Sequence, residues 1–139
     1  MSSSREEAEK YRPDVEKYLP YIQHREEDEL REEVGKLPIA QEFAAEVGRP
    51  DLGGAEAGIL VETNARVRAV VCSSKNRELL SDAIDTGNVS MLVGMLLPAL
   101  GLPGINISLG VIALAVLILK LGLNRYCQGF KEESQTASA

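Results

Sequence analysis

The sequence predicts a mainly α-helical protein: a small acidic helical soluble part followed by a C-terminal apolar helical hairpin suited to a membrane. Two observations carry this. Residues 1 to 47 hold 20 of the 36 charged side chains, 13 acidic and 7 basic, so the whole net charge of −6 belongs to the front third. Between Asp85 and Lys120, by contrast, 34 consecutive residues carry no charge. A mean hydropathy of −0.07 therefore describes neither half. A chain of 139 residues has room for one small domain, or a smaller domain with an appendage.

The expected organisation runs in five parts. Residues 1–48 form an acidic helical region and 49–58 a Gly/Pro linker. Residues 59–87 form a second helical region, with a short β-hairpin as the alternative for its first half. Residues 88–124 form the apolar hairpin and 125–139 a polar tail.

Within the first region, Pro13 and Pro20 each lack a backbone donor and sit most easily in a first helical turn, so each is expected to restart a helix. From Tyr21 to Lys36 the apolar positions Ile22, Leu30, Val34 and Leu37 follow helical spacing. Glu26, Glu27, Asp28, Glu29, Glu32 and Glu33 fill most of the remaining surface, a face that suits either water or a basic protein partner. Leu37-Pro38 ends that helix. A short one follows from Ile39 to Val47, with Gly48 suited to cap it and Pro50 preventing its continuation.

Gly53-Gly54 centres the linker. Ile59 to Cys72 reads either as two strands about Asn64-Ala65 or as helix. Two strands with no third to pair against are marginal, which favours helix. Ser73-Ser74 caps a clearer helix carrying Leu79, Leu80, Ala83 and Ile84, and Asp85-Thr86-Gly87-Asn88 closes it.

Ile105 to Leu123 contains twelve Ile, Leu or Val in 19 residues, enough to favour insertion by several kcal/mol on a transfer scale of roughly −0.3 to −0.6 kcal/mol per aliphatic residue. Its expected membrane-facing residues are Ile105, Ile107, Leu109, Val111, Ile112, Leu114, Val116, Leu117, Ile118 and Leu119. Lys120, Arg125 and Tyr126 follow at the depth where charged and aromatic anchors belong. The preceding arm, Val89 to Leu102, is interrupted by Gly94, Pro98 and Gly101. At 1.5 Å per residue it reaches only about 21 Å, against a hydrocarbon core of about 30 Å. Gly101-Leu-Pro-Gly104 reads as the turn between the arms, and Ser90 with Gly94 makes one small-xxx-small pair for helix packing.

Candidate chemistry is sparse. Asp85-Thr86-Gly87 matches the core triplet of retroviral-type aspartic proteases, whose Asp should follow a strand; here the preceding segment reads as helix, and a helix end explains it. His24 is the only histidine and has no nucleophile or second ligand at a recognisable spacing. Cys72 and Cys127, 55 residues apart with no CxxC pair, argue against a disulfide scaffold and against zinc. An acidic surface gives nucleic acid no electrostatic footprint.

The functional expectation is a small integral-membrane, non-enzymatic interaction protein without cofactor or metal. It would associate with itself through the hairpin and receive a protein partner on the acidic helical part, with a membrane-perturbing effector as its sharpest form. Lys and Arg flank the block on both sides and spare the turn, which places both termini in the cytoplasm. The alternative is a soluble helical adaptor whose apolar hairpin is buried in its own bundle or in a partner protein.

Overall fold

A computed structural model describes residues 2–102 and 107–130, with side chains from Glu9 onward. The described residues are mainly helical and contain no strand. The helices are α1 (Ser2–Ile22), α2 (Glu27–Gly35), α3 (Pro38–Glu46), α4 (Gly54–Glu62), α5 (Ala65–Val71), α6 (Arg77–Thr86), α7 (Val89–Leu100), α8 (Leu109–Leu121) and α9 (Leu123–Tyr126), with a 3-10 turn at Ser74–Asn76.

The bundle is built around α8. Every residue from Gly110 to Ile118 is buried, as a helix with no polar face must be if it is to avoid water. α2, α7 and α1 pack against it, α4 and α3 build outward from α2, and α5 and α6 lie against α7. α1 contributes Tyr11, Val15 and Ile22 to the core, α2 Leu30 and Val34, α4 Ala57 and Val61, and α5 Val67 and Val71. Two close approaches set the layers. A Cβ added at Gly58 in α4 would overlap the backbone carbonyl of Arg31 in α2, and one at Gly35 would overlap the carbonyl oxygen of Gly54. On the other side of α2, a Cβ at Gly110 would lie 2.7 Å from Leu37 Cγ and 3.0 Å from the Glu33 carbonyl oxygen. α2 is thus held between α4 and α8 at glycine contacts.

Several helix ends follow the sequence. Glu26 and Glu29 form a capping box at the start of α2, Pro38 opens α3, and Asn64 and Asn88 cap α5 and α7 with their side chains. Gly87, at φ 69°, takes the left-handed C-cap of α6, so the Asp85-Thr86-Gly87 triplet is a helix end. The segment 59–72 is helical, and the second half of the 49–58 linker belongs to α4.

Three expectations are corrected. No helix among the described residues is long and apolar enough to cross a membrane. Ser108 precedes α8 and Gly122 ends it, leaving 13 residues, or about 20 Å at 1.5 Å per residue. Its aliphatic side chains meet the chain's own helices: Ile107, Val111, Ile112, Leu114, Val116, Leu117 and Ile118 are buried, and Leu109 and Leu119 are partly buried in the same core. Ile105 and the Pro103-Gly104 half of the turn lie outside the described residues. Second, Pro13 and Pro20 sit inside one continuous α1. Both are exposed on the face away from Tyr11, Val15 and Ile22, where a carbonyl that loses its helical partner turns to water. Third, Cys72 and Cys127 form a disulfide, with Cα atoms 5.6 Å apart. The end of α5 and the end of α9 lie side by side, a proximity that a spacing of 55 residues conceals.

Candidate functional site

Charged side chains from distant segments converge where α2, α4, α5 and α9 meet, beside the disulfide. The Arg31 guanidinium on α2 donates from Nε to Glu62 Oε1 at 2.7 Å and from an Nη to Oε2 at 3.2 Å. Both side chains are largely buried, and this paired geometry raises the Arg31 pKa through its hydrogen bonds to Glu62, against the opposing effect of burial. Tyr126 of α9 is buried and donates its hydroxyl to the Glu62 backbone carbonyl at 2.5 Å. Burial, followed by the negative charge of Glu62, pushes the Tyr126 pKa up, which keeps the phenol protonated as the donor. Arg125 forks onto both carboxylate oxygens of Glu27, at 3.2 and 3.3 Å.

Arg68 on α5 completes the cluster. One Nη donates to the Gln128 carbonyl at 2.9 Å, and the guanidinium lies 5.6 Å from the centre of the Phe130 ring. Its Nε is buried and has no hydrogen-bond partner among the described residues. Arg31, Glu62, Arg68, Arg125, Tyr126 and Gln128, with Thr63 and Leu121, line an open cleft of about 280 Å³.

The residues singled out from sequence are divided between this cleft and other places. Arg125 and Tyr126, expected as interface anchors, both line it. Lys120 is exposed at the rim of a shallow apolar groove formed with Leu19, Ile84, Val89, Val116 and Leu119. Gly94 packs on α1, where an added Cβ would sit 3.4 Å from Tyr11 Cε2, and Ser90 lines a polar groove with Glu9 and Arg12. The pair therefore faces the chain's own first helix. His24 is exposed, its Nε2 3.5 Å from Gln23 Nε2, and Asp85 is exposed at the end of α6. Among the described residues no group of three or more His, Cys, Asp or Glu is placed to hold a metal ion.

Sequence reasoning missed Arg31, Glu62 and Arg68 as a site. Arg31 lies 31 residues before Glu62, a separation that leaves no local pattern. The one available hint is that Glu62, Arg66 and Arg68 are charges inside the mostly apolar stretch 57–72.

No family model, no curated protein and no solved structure matches this chain. The class defined by fold and site is accordingly a physical one: a helical bundle wrapped around its own uncharged hairpin, with a guanidinium-rich cleft at the disulfide end.

Proposed function

We propose that the chain is a non-enzymatic helical adaptor that keeps its apolar hairpin as its own core and meets a protein partner through its polar outside. The observation that carries this reading is the burial of Gly110 to Ile118 by the surrounding helices. Such a hairpin has already satisfied its hydrophobic demand and has little to gain from lipid. The exposed carboxylates Asp28, Glu29 and Glu32 on α2, with Glu42 and Glu46 on α3, offer a face to a basic partner segment. The charged groups gathered at the cleft support binding over catalysis, because Arg31, Glu62, Glu27 and Arg125 already neutralise one another. An intact disulfide favours an oxidising compartment and weighs against the cytoplasmic placement of both termini.

The test is physical state. Full-length protein purified without detergent should elute as one sharp species and stay at the bottom of a density gradient when mixed with phosphatidylcholine vesicles. Flotation with the vesicles that resists alkaline carbonate overturns the reading.

That outcome belongs to the second reading, in which the hairpin leaves the bundle, enters a bilayer and assembles there with other copies. It is favoured by one observation: α8 has no charged side chain before Lys120 and no polar face.

A further inference from the structure

Beyond the adaptor reading, and independently of it, we propose that the cleft between α2, α4, α5 and α9 binds a small organic carboxylate, with Arg68 as its receptor.

The pairing of charges leads to Arg68. Arg31 uses two donors on the two oxygens of Glu62, and Arg125 uses two on Glu27. Those cations are answered. Among the described residues Arg68 has no carboxylate within ion-pair distance: it donates to a neutral carbonyl of Gln128, rests against the Phe130 ring, and keeps a buried Nε–H with no acceptor. A buried charged donor left unpaired is costly to the fold, so an acceptor that reaches it recovers energy the protein has already lost. Of the charged groups that line the cleft, three are guanidiniums and one, Glu62, is a carboxylate; Glu27 and Asp28 answer Arg125 and Arg31 from outside that lining, which leaves Arg68 as the cation without a carboxylate of its own among the described residues.

The ligand class follows from the same features. One cation without a carboxylate of its own calls for one negative charge, and a guanidinium edge presents donors in the plane that a two-oxygen acceptor matches. A phosphate dianion would bring more charge than the cleft can answer without pulling Arg125 from Glu27. The cleft, at about 280 Å³, is at the small end for ligand sites, and Leu121 supplies an apolar wall for a short aliphatic chain. The site is also held in advance of binding. The disulfide fixes the end of α5 to Cys127, the neighbour of Gln128, and the Phe130 ring limits the planes the Arg68 guanidinium can take.

Side-chain proton–nitrogen NMR of the full-length, oxidised protein tests this, with sodium butyrate as the probe and sodium chloride and inorganic phosphate as controls at matched ionic strength. The Arg68 Nε–H resonance should move on adding butyrate and saturate in the millimolar range, while chloride leaves it in place. Arg68→Gln should weaken butyrate binding, read on neighbouring backbone amides, by about tenfold or more. Arg68→Lys keeps the charge but loses the planar edge and should bind nearly as poorly. Arg66→Gln, an exposed change on the same helix, should bind as the native protein does. The backbone spectrum of each variant reports whether it is folded. An Arg68 resonance unmoved by butyrate, equal binding by the folded Arg68→Lys variant, or tighter binding of phosphate each overturns the proposal.

Discussion

Replacing Gly58 by alanine should cost the fold several kcal/mol, although alanine is the better helix former. In an exposed helix the exchange would gain about 1 kcal/mol. Here the new Cβ would overlap the Arg31 carbonyl oxygen and lie 2.7 Å from its carbonyl carbon and 3.0 Å from its Cα. All three are backbone atoms of α2, so no rotamer change relieves the overlap and α4 must move away as a body. Overpacking of this kind costs about 1–3 kcal/mol and more when backbone is the obstacle. The same displacement stretches the paired Arg31–Glu62 contact across the two helices, worth about 1.5–3 kcal/mol for a hydrogen bond to a charged group. After the propensity gain is deducted, a net loss of about 3 kcal/mol is expected. Urea unfolding followed by circular dichroism measures it, with Gly94→Ala as the comparison. There the added Cβ meets Tyr11 ring carbons at 3.4 and 3.6 Å, an ordinary contact, so that variant should be as stable as the native protein or slightly more so. Gly58→Ala within about 0.5 kcal/mol of native, or Gly94→Ala as the more damaging of the two, refutes the reasoning.

Leu114→Ala, at the fully buried centre of α8, should cost about 2–5 kcal/mol in detergent-free denaturant titrations, whereas a side chain destined for lipid would leave aqueous stability unchanged. Reducing the Cys72–Cys127 bond, or replacing both cysteines by serine, should cost about 4 kcal/mol from the loop it closes and leave the helical signal at neutral pH in place. Burial raises the Glu33 pKa, but hydrogen bonds from Lys36 and Arg25 outweigh it and hold the carboxyl below the usual range. A folded value below the unfolded one stabilises fully above the unfolded carboxylate range and is lost as pH falls through the folded value. Glu33→Gln should therefore be less stable than native at neutral pH, and the two should converge in acid unfolding curves.

Much of the helical framework was readable in the sequence because it is written locally. The Leu37-Pro38 break, the Ser73 start and the Gly87 stop depend on residues within a turn of each boundary and fall close to the expected positions, whereas Asn88, read as part of that stop, caps the start of α7. Burial is a different matter. An uncharged run looks the same whether lipid or protein surrounds it, and what decides between them is the apolar faces of α2, which packs on α8, and of α1, which packs on α7 and α8. Tyr11, Val15 and Ile22 on α1 and Leu30 and Val34 on α2 are thinly spread among charges, so their capacity to cover the hairpin is not evident from local sequence. Of the small-residue pair Ser90 and Gly94, Gly94 makes an ordinary contact with Tyr11, while the tightest approaches are at Gly35 and Gly58, 23 residues apart on two helices whose meeting no local pattern announces. The cleft was hidden for the same reason. Its charges are matched in pairs only after α2, α4, α5 and α9 have come together.

The disulfide has a topological consequence. Its two cysteines flank the uncharged block, so the bond turns residues 72–127 into a closed covalent ring whose two ends cannot separate. Any surface that this ring enters must be entered and left from the same side. While the bond is intact, a single pass through a bilayer is therefore forbidden whatever the hydrophobicity of the segment, and only a re-entrant or doubly crossing path remains. The same closure acts on exchange between copies: α8 can be passed to a second molecule only together with α6, α7 and α9, as one loop.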